Sequence, residues 1–83
     1  MQCMKFARDA YIPIDKIEYM VSYNSSAVKR KIRRLKAEGL AEVIDYTYGQ
    51  KTNAVIFLTT GKILLTNNTV DKLVERMEKG NIF

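Results

Sequence analysis

The 83-residue chain has no histidine and no tryptophan, a single cysteine, a single proline and four glycines. Each scarcity closes a class of explanation. One thiol, Cys3, forbids an internal disulfide. A structural zinc site would have to be built from carboxylates, unlike the usual nitrogen and sulfur ligand sets. Without histidine, a nucleophile and its base would have to come from carboxylates or lysines, and no spacing supplies such a pair. Gly49 and Gly61 are too isolated for a phosphate-cradling loop. No apolar run approaches the ~18 residues that span a bilayer. Lys5, Arg8 and Asp9 interrupt the N-terminal segment where a signal peptide needs an unbroken apolar stretch. The reading is a cytoplasmic, soluble chain without enzyme activity, metal, cofactor or membrane partner.

What is present is charge, and it is concentrated. The net charge is +5. Between Ser26 and Glu38 lie six basic residues (Lys29, Arg30, Lys31, Arg33, Arg34 and Lys36) against the single acid Glu38, while eight basic and eight acidic residues balance elsewhere. A basic segment in an otherwise neutral chain points to a polyanionic partner, of which nucleic acid is the commonest inside a cell. The chain is one domain over residues 1–83, of a size at which one core supplies only a few kcal/mol and oligomerisation often adds the rest.

The pattern is that of an α+β domain: a small antiparallel or mixed sheet, one capped basic helix in mid-chain and one C-terminal helix. Lys5 to Ala10 and Tyr11 to Ile14 are strand material, with Pro13 tolerated at an edge or bulge. A single helical turn at Asp15 to Ile17 precedes a strand from Glu18 to Tyr23. Asn24, Ser25 and Ser26 offer caps for a helix running to Glu38, and Gly39 suits the left-handed residue that ends helices. Its apolar stripe, Val28, Ile32 and Leu35, is narrow. The Thr60-Gly61 turn folds Ile63 to Thr66 back on the Asn53 to Thr59 strand. Asn68 or Thr69 then caps a helix over Val70 to Lys79.

Asp45 to Val55 reads as a hairpin turn between Ala41–Tyr48 and Asn53–Thr59, with Gly49 at positive φ and Gln50, Lys51 and Asn53 projecting outward. Both strands are apolar on both faces. One helical layer covers one side, so the second face is expected to be buried against another subunit.

Several features have a plain alternative. The polar turn also fits a simple solvated connection. The basic helix fits either a phosphate-binding surface using Lys29, Arg30 and Arg33 or a solvating face that lines an oligomer's outer wall. Insertion into a major groove fits less well, because the helix shows cations rather than the amides and hydroxyls that read base edges. Tyr19, Tyr23, Tyr46 and Tyr48 suit half-buried strands better than a base-stacking platform. Asp45 suits a hydrogen bond to its own turn.

The order of Val21-Ser22, Ser26-Ala27-Val28-Lys29-Arg30, Gly39, Ile44-Asp45, Thr47-Tyr48-Gly49, Lys51-Thr52, Ala54-Val55-Ile56 and Ile63-Leu64 resembles the RemA family of extracellular-matrix regulatory proteins, over roughly Lys5 to Met77. The resemblance implies a small bacterial DNA-binding regulator that forms a ring-like homo-oligomer, binds promoter double-stranded DNA around it, and acts on biofilm matrix and related genes. It also implies backbone contacts from side chains just after the turn glycine and before the strand leading into the first helix, here Gln50, Lys51 and Lys16. The family pattern has arginine at all three, and lysine lacks arginine's bidentate fork for phosphate. Family chains begin near Met4, which makes Met1 to Cys3 an extension or alternative start, disordered in the first case. Tyr46 stands where a small residue is usual. The competing expectation is a scaffold that has lost its DNA surface and docks an acidic protein, as an interaction or inhibitor module.

Overall fold

A computed structural model describes residues 2–79. Strands β1 (Cys3–Ala7) and β2 (Ala10–Pro13) form an antiparallel hairpin, and one 3-10 turn (Ile14–Lys16) leads into β3 (Ile17–Ser22). Helix α1 (Ser26–Ala37), strands β4 (Glu42–Asp45), β5 (Ala54–Leu58) and β6 (Lys62–Thr66), and helix α2 (Val70–Glu78) complete the chain. The four later strands make one mixed sheet in the order β3-β5-β6-β4, so the fold is α+β with two sheets and two helices. Gln2 and Cys3 belong to the first hairpin: the Ile14 amide donates to the Gln2 carbonyl and Cys3 pairs with Pro13. Met1 lies outside the described residues.

The tight turn at Gly61, at φ +92°, closes β5 onto β6 with the Gly61 amide donating to Leu58. That pairing corrects the hairpin expected on either side of Gly49. β5 has two edges, and β3 and β6 occupy both. The short β4 therefore pairs with the outer edge of β6, in parallel, and the chain from 46 to 53 crosses the end of β6 to reach β5. A three-residue turn closes far less chain than a longer loop, so it takes the contested edge.

β5 is buried on both faces, as its unbroken apolar sequence requires. The expectation that a second subunit covers one of them is corrected, because this chain covers both. On one side Ala54 and Ile56 pack with Met4, Phe6, Ala7 and Ile12 of the hairpin and Leu73 of α2. On the other, Val55 and Phe57 pack against Ile32 of α1, with Val28 and Leu35 beside it. The N-terminal hairpin, weakly patterned in sequence, is the missing layer.

Ser25 is the N-cap of α1 but makes no side-chain cap bond, and the Asn24 side chain accepts instead from Ser22. The expected caps are thus absent from the helix that carries the basic residues. Its other end is well closed: Gly39 at φ +68° donates to Lys36 and Leu40 donates to Leu35, the paired bonds of a Schellman motif. Thr69 caps α2 by accepting from the Lys72 amide.

Candidate nucleic-acid interface

The crossover from 46 to 53 is held at both ends. At its start the Tyr46 amide donates to Leu65, and at its finish the Asn53 amide donates to Thr66 and its side-chain nitrogen to the Asn67 carbonyl. Asn53 is thereby tied to the sheet, which corrects its expected outward projection. Between them the Asp45 carboxylate accepts from the Thr47 amide at 2.8 Å and the Thr47 hydroxyl at 2.6 Å. The hydroxyl first, then the amide, hold the carboxyl below its ordinary 3.8 by stabilising the ionised form, against a small opposing effect of burial. Tyr48 and Gly49 follow at φ +54° and +82°, and the Gln50 amide closes the turn on the Thr47 carbonyl. Gln50 and Lys51 are left exposed at the tip.

That tip stands over a cleft of about 570 Å³. Tyr23, Asn24 and Lys29 line it at the start of α1, Lys51 and Thr52 from the crossover, and Asp71 from the first turn of α2. β3 ends, α1 begins and β5 begins at the same end of the sheet, so Lys29 and Lys51 meet there although 22 positions separate them. The Lys29 ammonium sits 5.4 Å from the centre of the Tyr23 ring. Neither lysine has an ion-pair partner among the described residues. The N-terminal amides of α1 add positive potential at the same place. Along α1, Lys29, Arg33 and Lys36 fall within about 60° of arc, so the cationic surface continues from the cleft down one flank of the helix.

The crossover carries the string that the RemA resemblance rests on, and the profile of the RemA-like family, described as extracellular matrix regulatory protein A-like, matches residues 4–77. The chain belongs to the RemA-like family. A relative from Coprothermobacter proteolyticus, provisionally named a regulatory protein, is 37% identical over 70 residues, covering 84% of this chain and 65% of the relative. The chain thus spans just under two thirds of that protein. Relatives from Dictyoglomus thermophilum and Dictyoglomus turgidum, with the same kind of provisional name, are each 35% identical over 66 residues, covering 80% of this chain and 75% of theirs. These are names of regulators, not of enzymes.

Within this RemA-like chain the predicted residues do not form one patch. Gln50, Lys51 and Lys29 share one end of the sheet, with Arg33 a turn further along the helix. Lys16 is at the opposite end, where its carbonyl accepts from the Thr59 amide. The length of β3, roughly 17 Å, separates the two ends. Arg30 lies on a different side of α1, about 100° from Lys29. Lys31 is held against two aromatic rings: its ammonium donates to the Tyr19 hydroxyl at 2.9 Å and lies 5.2 Å from the Phe57 ring centre.

The tyrosines are dispersed and individually packed. Tyr19 stacks on Phe57 with centroids 4.4 Å apart, and Tyr46 meets Phe6 edge-on at 4.8 Å. Tyr48 donates its hydroxyl to the Arg8 carbonyl while the Arg8 guanidinium lies 5.5 Å from its ring. Arg8, at the tip of the first hairpin, is the cation beside the crossover that sequence reading passed over. No local pattern marks it, because the contact joins segments 40 positions apart. Among the described residues no cluster of three or more metal-binding side chains occurs, and no helix is long and apolar enough to cross a membrane.

Proposed function

We propose that this RemA-like protein is a homo-oligomeric, non-enzymatic DNA-binding regulator of transcription that holds duplex DNA by its phosphate backbone. The observation that carries the proposal is the convergence of Lys51 and Lys29 on one open cleft, continued by Arg33 along α1. Two unpaired ammonium groups beside the start of a helix form a favourable seat for phosphate. Gln50 supports the contact as a neutral donor. Each subunit contributes few charges, so affinity comes from several subunits of a ring-like assembly engaging one duplex, which is wrapped or bent around them. The genes controlled are matrix genes and their relatives, as in the family.

Electrophoretic retardation of a random duplex across a salt series tests this reading. Binding is expected at low salt and is lost steeply as salt rises. No retardation at the lowest salt removes it. One observation favours a second reading, a protein-docking module for an acidic partner: Gln50 carries no charge where the family pattern has arginine, and Lys16 is too distant to replace it. Stoichiometric recovery of one acidic protein, with Lys51→Glu leaving every DNA interaction unchanged, would support that alternative.

A further inference from the structure

The N-terminal hairpin meets the crossover at its tip. Phe6 accepts from the Thr66 hydroxyl at the end of β6, so the hairpin turn that follows lies at the same end of the main sheet as Lys51. There the Tyr48 hydroxyl donates to the Arg8 carbonyl, and the Arg8 guanidinium lies over the Tyr48 ring, 5.5 Å from its centre. Among the described residues, Asp9 and Tyr48 are the only non-glycine positions with positive φ, at +56° and +54°, and they flank this contact. A tyrosine in that region is an outlier that persists only where its surroundings hold it, and such outliers gather at ligand-binding sites.

The chain has five arginines. Three lie on α1, and Arg76 donates to the Lys5 carbonyl. Arg8 is exposed, and its guanidinium makes no hydrogen bond or ion pair among the described residues, neighbouring Asp9 included. Contact with a ring face engages none of its five N–H donors in a hydrogen bond. The planar fork therefore stays open to a phosphate, which the two lysines of the cleft meet only as point charges. α1 and the hairpin cover opposite faces of β5, so Lys29 and Arg8 approach the crossover from opposite sides.

We infer that Arg8 is a further DNA contact of this protein, gripping a backbone phosphate beside the crossover, and that Tyr48 is the positioning residue that holds it there. This rests on the DNA binding proposed above and extends its surface beyond the cleft. Lys29 from α1, Lys51 from the crossover and Arg8 from the hairpin each place one cation along the same end of the sheet. Arg8 supplies the guanidinium beside a tip whose own Gln50 is neutral.

Retardation of a random duplex by the full chain across a salt series tests the assignment. Arg8→Met is expected to bind about tenfold more weakly at low salt and to lower the slope of log affinity against log salt by about 0.9 per bound subunit. Arg8→Lys keeps the charge without the fork, so the wild-type slope should return with only part of the affinity. Tyr48→Leu leaves Arg8 charged but unplaced and should weaken binding in a protein with native circular dichroism, whereas Tyr48→Phe, which keeps the ring, should retain more of the affinity. Lys62→Met removes an equal charge at the opposite end of the sheet and should change neither affinity nor slope. A wild type that binds, with affinity and slope unchanged in Arg8→Met, overturns this inference and leaves the cleft reading standing; a wild type that does not bind overturns both. An equal loss in Lys62→Met would reduce the effect to net charge and also overturns it, and wild-type binding by Tyr48→Leu overturns the role of Tyr48. If Arg8→Met does not fold, phenylglyoxal modification of the wild type decides: protection of Arg8 by the duplex supports the contact, and unchanged reactivity overturns it.

Discussion

The side chain of Thr66, at the end of β6, donates its hydroxyl to the carbonyl of Phe6 in β1, and this fully buried bond fastens the N-terminal hairpin to the main sheet. The Asn68 side chain donates to the same carbonyl at 2.9 Å, and the Asn68 amide in turn donates to the Thr66 hydroxyl. Three polar groups are satisfied together at the boundary between the two sheets.

Thr66→Val keeps the shape and removes the hydroxyl. The Phe6 carbonyl retains Asn68, while the Asn68 amide loses its acceptor. The expected cost is about 1–2 kcal/mol in urea unfolding with an unchanged slope. A variant as stable as the wild type would show that the hairpin is held by apolar packing alone.

Acid should weaken the crossover through Asp45. Its folded pKa lies below the ordinary value, so its contribution is present above about pH 4 and is lost as pH falls through the folded pKa. Asp45 is exposed, which keeps that contribution small. Asp45→Asn should therefore flatten the fall in melting temperature between roughly pH 5 and 2. Equal slopes for the two proteins would contradict the assignment. Asp45→Ala also strands the hydroxyl of Thr47, which is 2% exposed, and should cost about 1–3 kcal/mol at neutral pH.

Gly49→Ala tests the shape of the crossover itself. At φ +82° an added Cβ is strained even though no atom lies within 4 Å of its position. A loss of about 1–2 kcal/mol in chemical denaturation is expected, for conformational reasons alone. Stabilisation instead would mean that the crossover adopts a different turn in solution.

Charge reversals divide the cations of this chain into groups. Lys51→Glu and Lys29→Glu should each abolish or strongly weaken DNA retardation while leaving the fold intact. The milder Lys51→Met should lower the slope of log affinity against log salt by about one per bound subunit. Lys31→Met should leave DNA binding near normal and reduce stability, because Lys31 is committed to Tyr19 and Phe57. Loss of DNA binding in the folded Lys31→Met protein, with Lys51→Glu unaffected, would invert the proposed site.

Much of the local structure is legible in residue order. The helix from Ser26 and its stop at Gly39, the Thr60-Gly61 turn, the cap at Thr69 and the Asp45 bond to its own turn each depend on neighbours a few positions apart. The Gly49 hairpin was misread because strand propensity shows that two runs are extended, not which of them are neighbours. The second cover for β5 was misread for a related reason. Met4, Phe6, Ala7 and Ile12 sit in short strands with weak alternation, and their apolar faces become evident only when they are laid against Ala54 and Ile56.

The candidate site divides the same way. Composition and order alone determined that the chain is basic in one helix, that Lys51 follows a turn glycine, and that the family is RemA-like. Tertiary structure decided which cations lie together. It brought Lys29 to Lys51 by starting α1 and β5 at one end of the sheet, left Lys16 at the other, and committed Lys31 to two aromatic rings. The reason is physical: a side chain's charge is a local property, but the field at a cleft is the sum over groups that only strand order and direction place within a few ångströms of one another.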